Sequence, residues 1–428
     1  MTSPRTRPAA VAFILVTILL DVFAFGVVIP ILPNLIKAFQ HGDTGRAAVT
    51  YSVFAAAWGL MQFVFSPVLG LVSDRYGRRT VLLVSLTGLG LDYILMALSP
   101  NLAWLFVGRI ISGITAATYS TATAYIADIT APERRARAFG YIGAAWGVGF
   151  TVAPAIGGFF GAIDLRLPFW IAAGLTLANA AYGWFVVPES LPKERRTPIR
   201  WIRANPIGAF ALARGIHGLA GLLTMQLLYI VAHFSLPTVF VLYAGYRYGW
   251  DARQVGYTLT AVGICSVIVQ GGLVGPAVRW LGERRAVLVG LFTCAITYAM
   301  YGFAPTGPWF LAAIPVGAIA GLYGAAAQSL MTARGSAGEQ GALQGLNSSL
   351  TGLAGVVGPL IFGLALTAGL NAGPDGSAVF PGAAFALAAL LTAVALGIAV
   401  LATRPRAQAM SAGSVPDPDH ERVDVGLP

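Results

Sequence analysis

Three charged residues of this sequence lie deep inside long apolar stretches. They are Asp21, Asp92 and Arg109. An ionisable group at such a position costs several kcal/mol or more, so residues of this kind usually line a cavity, pair with each other or relay protons. Two carboxylates and one guanidinium could therefore bind and release a proton. The alternative is an ion pair that only locks two helices together.

Spacing refines the possible roles of these three residues. A short turn near Pro100 and Asn101 lies midway between Asp92 and Arg109. On two antiparallel helices both side chains would lie about 12 Å from that turn, so a pair is feasible if they face the same side. Asp21 would lie about 18 Å from the start of its helix, near the centre of a membrane. We expect Asp21 to be the protonation site, because burial favours a neutral carboxyl and a nearby arginine favours an ionised one.

The elements that must position these residues are predicted to be transmembrane helices. Of the 428 residues 57% are hydrophobic and 10% are charged, a composition typical of a multi-span membrane protein. Long unbroken apolar runs favour helices over a barrel, because every backbone polar group must be satisfied within the protein. Twelve runs are long enough to span: 10–36, 50–70, 80–98, 102–124, 138–160, 167–187, 217–244, 255–277, 286–304, 308–331, 342–368 and 380–402.

The net charge of +10 orients the chain in a membrane and does not indicate nucleic-acid binding. With the N-terminus in the cytoplasm, nearly all basic residues fall in cytoplasmic segments, as the positive-inside rule requires. The exceptions outside the spans are Lys37, Arg46, Arg166, Arg247 and Arg253. We therefore expect a protein of the bacterial cytoplasmic (inner) membrane with both termini in the cytoplasm. The first apolar run is too long for a signal peptide and contains an acid.

An internal repeat divides the chain into two halves. A shift of 205 residues places Gly70 on Gly275 and Gly77 on Gly282, so the segment 275–285 is a degraded copy of the segment 70–79. Asp74 maps to Arg279, which indicates that the halves have diverged in charge. Parallel six-span repeats related by an axis along the membrane normal are one known transporter architecture.

The repeat and the polar stretches predict four segments. The first six-helix bundle covers 1–187, a cytoplasmic linker 188–214, the second bundle 215–403 and a disordered cytoplasmic tail 404–428. The predicted fold is therefore an all-α membrane protein of twelve transmembrane helices in two pseudo-symmetric six-helix bundles. We expect it to function as a monomer.

The run from Gly70 to Arg79 is a polar turn between the second and third predicted spans, and it has candidate gating residues. A charge latch at the cytoplasmic helix ends would use Asp74, Arg78 and Asp128. For Arg75 and Arg79 a solvated loop charge is an equal alternative. The full candidate set is Gly70, Asp74, Arg75, Gly77, Arg78, Arg79, Asp128 and Pro154. Pro154 lies in a glycine-rich span that could be a close-packed hinge or a purely structural contact.

Amide and aromatic side chains within the spans suggest the substrate. A cavity of this composition suits a flat amphipathic organic molecule better than a highly charged metabolite. The candidate cavity residues are Gln62, Gln226, Gln270, Gln328 and Asn347. Each of them could equally be a helix–helix contact. The four histidines show no metal-ligand spacing, and the absence of a G-x-x-x-x-G-K-[ST] loop argues against transport driven by ATP hydrolysis. We expect no resident metal or cofactor.

About residues 11–400 resemble the tetracycline:proton antiporters of the major facilitator superfamily. The resemblance is found in Pro30, Pro33 and several short segments. These segments are residues 20–22, 70–79, 91–93, 108–118, 126–128, 249–251, 281–285, 341–345 and 358–360. It implies a transporter that exchanges protons for a small amphipathic substrate, which a divalent cation could accompany. It also implies substrate and proton handling by Asp21, Asp92 and Arg109, and gating by Asp74 and Arg78.

Departures from the family pattern leave the substrate open. Tetracycline exporters tend to carry a His in span eight and an Asp in span nine, where this sequence has Cys265 and Thr293. Tetracycline is the leading candidate substrate. A proton-coupled importer of a sugar or organic acid is the main rival. A receptor or a membrane-embedded enzyme is a third class, and no nucleophile–base set or H-E-x-x-H motif supports it.

Overall fold

The computed structural model describes residues 8–115, 118–130, 132–198, 219–332, 340–371 and 379–403, and these ranges contain helices and no strands. The helices of the first half are α1 (Pro8–Val28), α2 (Leu32–Phe39), α3 (Thr44–Tyr76), α4 (Arg78–Leu98), α5 (Leu102–Thr115), α6 (Thr118–Ile129), α7 (Pro132–Gly161) and α8 (Leu167–Val186). Those of the second half are α9 (Leu219–His233), α10 (Ser235–Tyr248), α11 (Ala252–Ile268), α12 (Val274–Leu281), α13 (Glu283–Phe303), α14 (Gly307–Ile319), α15 (Leu322–Thr332), α16 (Gln340–Asn371) and α17 (Ala383–Ala402).

Eleven helical stretches within the described residues are long and apolar enough to cross a membrane. The remaining predicted span corresponds to α5, a shorter apolar helix, followed by α6 after two residues outside the described ranges. The prediction of an all-helical membrane protein is therefore confirmed, and the helices are consistent with twelve spans. Most of the predicted linker, residues 199–214, and the predicted tail 404–428 lie outside the described residues.

The predicted turn at 70–79 is shorter in the structure than in the sequence interpretation, which was wrong about its extent. Helix α3 continues to Tyr76, and α4 begins at Arg78, so Gly77 alone separates them. Gly77 has φ +105°, a conformation that glycine adopts without steric penalty. Polar residues near a helix end can stay helical and still reach water. This explains why Asp74, and Gly70 before it, belong to the helix.

Several predicted spans are not single continuous helices. The first breaks at Ile29–Ile31 around Pro30, and the seventh breaks at Phe234, three residues before Pro237. Proline lacks the N–H of an i→i−4 hydrogen bond, which weakens the helix at these points. In the eighth span a π-helical turn, Val269–Leu273, lies between α11 and α12.

The halves are joined mainly by two helix pairs, α3 with α16 and α7 with α11, and α10 makes smaller contacts with α2 and α3. Small residues let their backbones approach closely. A Cβ atom at Gly59 would lie 2.6 Å from the carbonyl oxygen of Gly355, and the Thr367 hydroxyl donates to the carbonyl of Gly45 at 3.0 Å. The largest apolar core also includes residues of both halves, among them Phe54 and Phe362.

These seams are tight toward one end of the molecule and open toward the other. A Cβ atom at Gly70, Gly143 or Gly275 would meet no other part of the described structure within 4 Å. We call this open end the basic end, since its two lone-glycine turns are flanked by Arg75, Arg78, Arg79, Arg279, Arg284 and Arg285. The opposite end, which includes Asp43 and Asn371, is called the closed end.

Candidate functional site

The three interior charges predicted from the sequence lie on three helices of the first half, and Asp21 is half-buried. Asp21 is on α1, Asp92 on α4 and Arg109 on α5. Asp92 is 2% exposed and Arg109 8% exposed. Both carboxylate oxygens of Asp92 and one of Asp21 are sealed from water and accept no hydrogen bond from the described residues. Charges without partners in such surroundings are strongly destabilising, which marks these residues as candidates for function.

Asp92 and Arg109 interact without forming a salt bridge. They lie within electrostatic range of each other and of Tyr93, but no N–O distance between them is 4.0 Å or less. Asp92 rests against the backbone of Gly108, where a Cβ atom would come within 3.0 Å of its Oδ1. The guanidinium of Arg109 instead lies over the Trp58 ring, 5.3 Å from its centroid. The predicted pair is thus brought together only loosely.

Tyr93 connects these residues to Asp21. It is buried and lies within electrostatic range of Asp21, Asp92 and Arg109. We call these four residues the charged cluster. All of its members belong to the first half, so the structure brings the predicted proton-coupling residues together on one side of the molecule.

The second half contains an uncharged counterpart built from predicted cavity residues. The amide of Gln226 donates to Asn347 Oδ1 at 2.9 Å, and the Tyr323 hydroxyl donates to Gln226 Oε1 at 2.6 Å. The Tyr229 and Tyr323 ring centroids are 3.9 Å apart. These side chains join α9, α15 and α16, and we call Gln226, Tyr323 and Asn347 the amide network.

The other three predicted cavity residues are not part of this network. Gln62 is half-buried on α3 and makes no hydrogen bond to the described residues. Gln270 is exposed in the π-helical turn, near the backbone of Gly321. Gln328 is half-buried on α15. The structure therefore unites Gln226 and Asn347 but leaves these three separate from them.

The predicted latch residues form an ion network at the basic end. Arg78 Nη1 lies 2.6 Å from Asp74 Oδ1, and Arg78 Nε lies 3.3 Å from Asp128 Oδ2. Arg79 donates to the carbonyl oxygen of Trp184 and lies over its ring at 5.8 Å. Arg75 is exposed and has no ion-pair partner in the described part of the chain. These contacts of Arg78 and Arg79 all lie within the first half.

Glu189 is a member of this network that the sequence interpretation missed. Its Oε1 accepts hydrogen bonds from the backbone N–H groups of Arg78 at 2.9 Å and of Arg79 at 3.4 Å. Gly77 precedes α4 and has no side chain to cap it, so an acceptor must come from elsewhere. A carboxylate also complements the positive end of the helix dipole. The bare glycine cap and the acid directly after the sixth span were the available signals.

Pro154 lies in the seam between the halves. Its carbonyl oxygen packs against Gly256 of α11, which leaves no room for a Cβ atom there. Gly158 packs against the backbone of Ala252 in the same way. Helix α7, the glycine-rich fifth predicted span, is thus close-packed against the other half.

The two positions that depart from the family pattern supply no charge to the interior. Thr293 donates its hydroxyl to the carbonyl of Val289 in its own helix at 2.9 Å. Cys265 is a free, half-buried thiol on α11. The contrast between a charged first half and an uncharged second half therefore extends to these positions.

Known proteins with similar sequences are membrane transporters. The sequence model of the Major Facilitator Superfamily matches residues 14–359. The class C tetracycline resistance protein of Escherichia coli is 40% identical over 353 residues, which cover 82% of this chain and 88% of that protein. The class B tetracycline resistance protein of Escherichia coli is 36% identical over 356 residues, 81% of this chain and 86% of that protein.

A solved structure supports the same fold. The human organic anion transporter MFSD10 superposes with a TM-score of 0.67 at 22% identity and covers 93% of this chain and 100% of its own. These matches confirm the fold and the family predicted from the motifs, and they identify a transporter rather than an enzyme. This chain belongs to the major facilitator superfamily.

Proposed function

We propose that this protein is a proton-coupled antiporter that exports an amphipathic drug, with tetracycline as the first candidate. The observation that carries the proposal is the charged cluster, in which the buried Asp92 and Arg109 and the half-buried Asp21 make no salt bridge within the described residues. A transporter that must bind and release a proton needs such a group in its interior. The names of the most similar relatives supply the substrate candidate.

The arrangement of the two halves supports transport by alternating access. They pack through glycines at the closed end, and at the basic end there is open space beside Gly70, Gly143 and Gly275 in the described structure. If the basic end faces the cytoplasm, as the distribution of arginines favours, this state receives substrate from the cytoplasm. Rocking of one half against the other about the α3–α16 and α7–α11 seams would then expose the site to the opposite side.

In the proposed cycle Asp21 accepts a proton on the outer side and releases it on the cytoplasmic side. Movement of Arg109 relative to Asp21 would control this exchange, because a nearby guanidinium favours the ionised carboxylate. At present Arg109 lies over Trp58 and makes no salt bridge to either aspartate. In this state the site would release its proton and bind substrate from the cytoplasm. On the outer side the site would release the substrate and take up a proton, so that substrate export is coupled to proton entry.

The ion network of Asp74, Arg78 and Asp128 would act as the latch of the basic end. It is complete within the first half in the present state, with Glu189 holding the start of α4. Closure of the basic end would bring the second half against this preformed surface. The open space beside Gly70 is where such an approach has room to occur.

Expression in a tetracycline-susceptible bacterium tests this function. We expect the wild-type chain to lower intracellular tetracycline and Asp21→Asn to leave it at the level of the empty vector. Asp164→Asn is the matched control, since Asp164 is an exposed loop carboxylate. Unchanged accumulation with the wild-type protein in the membrane would contradict tetracycline export, and proton-driven accumulation of a sugar or organic acid would favour the importer.

A further inference from the structure

A break in the seventh span places one histidine at the centre of the second half. Helix α9 ends at His233, and α10 begins at Ser235. Pro237 cannot donate the hydrogen bond that a continuous helix would give to the His233 carbonyl. His233 lies halfway along the 30-residue stretch Leu219–Tyr248, so the break is near the membrane centre. Transporters commonly build substrate sites at such discontinuities.

The face of α9 that presents His233 points to the interior of the second half. Gln226, Tyr229 and His233 recur at intervals of three and four residues, so they share one helix face. Gln226 on that face is bonded to Tyr323 and Asn347, which lie on α15 and α16. This face therefore looks toward the other helices of the protein and away from lipid.

The imidazole of His233 is open on one side and supported on the other. Its ring is 6.0 Å from the Tyr229 ring, with an angle of 22° between the planes. Tyr229 in turn packs against Tyr323, which is fully buried. The His233 side chain is exposed, and its ring nitrogens make no hydrogen bond to the described residues. An exposed ring with free nitrogens, on a helix face that points away from lipid, is available to a ligand.

We propose that Tyr229 and His233, supported from behind by the buried Tyr323 ring, form the second-half wall of the substrate site, for a planar polycyclic ligand that carries oxygen substituents. Aromatic rings pack well against a flat ring system. A neutral imidazole has one donor and one acceptor nitrogen and so can bind a hydroxyl or carbonyl oxygen at the ligand edge. The charged cluster would face the ligand from the first half. The inference rests on the proposed export function and adds the chemistry that selects the substrate.

This assignment gives the second half an imidazole contact for the ligand, where its other candidate cavity residues are amides. Cys265 and Thr293 offer little at the positions where related exporters tend to have a His and an Asp. His233 supplies an imidazole from a different helix, the seventh span. A ring in this place would also restrict the site to ligands flat enough to stack on Tyr229.

Equilibrium binding of tetracycline to the purified full chain in lipid nanodiscs tests the proposal. We expect His233→Ala to raise the dissociation constant roughly ten-fold, since it removes one ring contact and one hydrogen bond. His233→Phe keeps a ring and loses the nitrogens, so a smaller increase of about three-fold is expected. His41→Asn is the control, because His41 lies in an exposed turn at φ +54° that asparagine tolerates.

The outcomes separate this inference from the proposed function. The proposal that His233 lines the substrate site would be supported if both His233 variants bind tetracycline more weakly. The affinity of His41→Asn and the thermal unfolding midpoints of all variants should then equal those of the wild type. Wild-type affinity in His233→Ala would overturn it while leaving tetracycline export intact. Failure of the wild-type protein to bind tetracycline would overturn both. Wild-type affinity in His233→Phe would remove the hydrogen-bond role and with it the requirement for oxygen substituents.

Discussion

The two halves of this transporter share a backbone plan and differ in how they use charge. Gly77 and Gly282 are 205 residues apart, and each alone separates two helices at a positive φ, +105° and +77°. The helices that follow them, α4 and α13, are both 21 residues long. Around Gly77 an arginine is held by three carboxylate-bearing residues, whereas next to Gly282 the side chain of Glu283 accepts one hydrogen bond, from Ser329.

The interiors of the halves differ in the same direction. Asp21, Asp92 and Arg109 lie in the first half, and the amide network of the second half is neutral. In the proposed cycle the symmetric backbone would let two similar bodies rock against each other, and the asymmetric charge would let one body handle protons and the other contact the substrate. Paired substitutions, one in each half, test whether the halves divide these roles.

The largest effect is expected from loss of the interior cation. Arg109→Gln leaves Asp92 without its nearby positive charge, which corresponds to about 3 kcal/mol and roughly a 100-fold loss of transport. Gln226→Met removes a neutral amide and should reduce transport by about ten-fold or less. Initial rates of tetracycline uptake into everted membrane vesicles measure both. Equal losses would mean that charge is not divided between the halves as described.

The two turn glycines should differ in their tolerance of a side chain. Either substitution by alanine forces a positive φ that costs about 1–3 kcal/mol. At Gly77 the new Cβ would also collide with the carboxylate that caps α4, while at Gly282 it would meet open space in the described structure. Gly77→Ala should therefore destabilise the protein by about 3 kcal/mol, more than Gly282→Ala. Thermal unfolding in detergent compares them, and a larger loss for Gly282→Ala would contradict the geometry.

The smallest of these effects concerns the acids next to the two turns. Glu189→Ala removes the acceptor for two N–H groups at the start of α4, which should cost about 1–2 kcal/mol. Glu283→Ala removes one hydrogen bond from Ser329 and should cost about 1 kcal/mol or less. The same unfolding measurement ranks them. Similar values would show that Glu189 is an ordinary surface acid and not a structural cap.

Sequence alone was sufficient where the signal is local or periodic. Apolar runs predicted the spans, and the 205-residue offset predicted the matching turns at Gly77 and Gly282. Asp21, Asp92 and Arg109 were recognisable because charge inside an apolar run is rare and expensive. Arg78 with Asp74 was also accessible, because two opposite charges only four residues apart at a predicted turn can pair.

The remaining features depend on distant contacts that no local pattern encodes. Glu189 reaches Arg78 across 111 residues, and the seam between Pro154 and Gly256 joins different halves. Helix α3 continues to Tyr76, inside the predicted turn at 70–79, because polar residues at its end can reach water and stay helical. His233 had no recognisable spacing to other ligands, and only the break before Ser235 and the stack on Tyr229 distinguish it.

The central claim is that a carboxylate of the first half exchanges protons for the drug. Proteoliposomes that contain a pH-sensitive dye and either wild-type protein, Asp21→Asn or the control Asp164→Asn test it directly. We predict that tetracycline drives proton movement with the wild-type and Asp164→Asn proteins and that Asp21→Asn shows none. Proton movement at the wild-type rate in Asp21→Asn would contradict the assignment of Asp21.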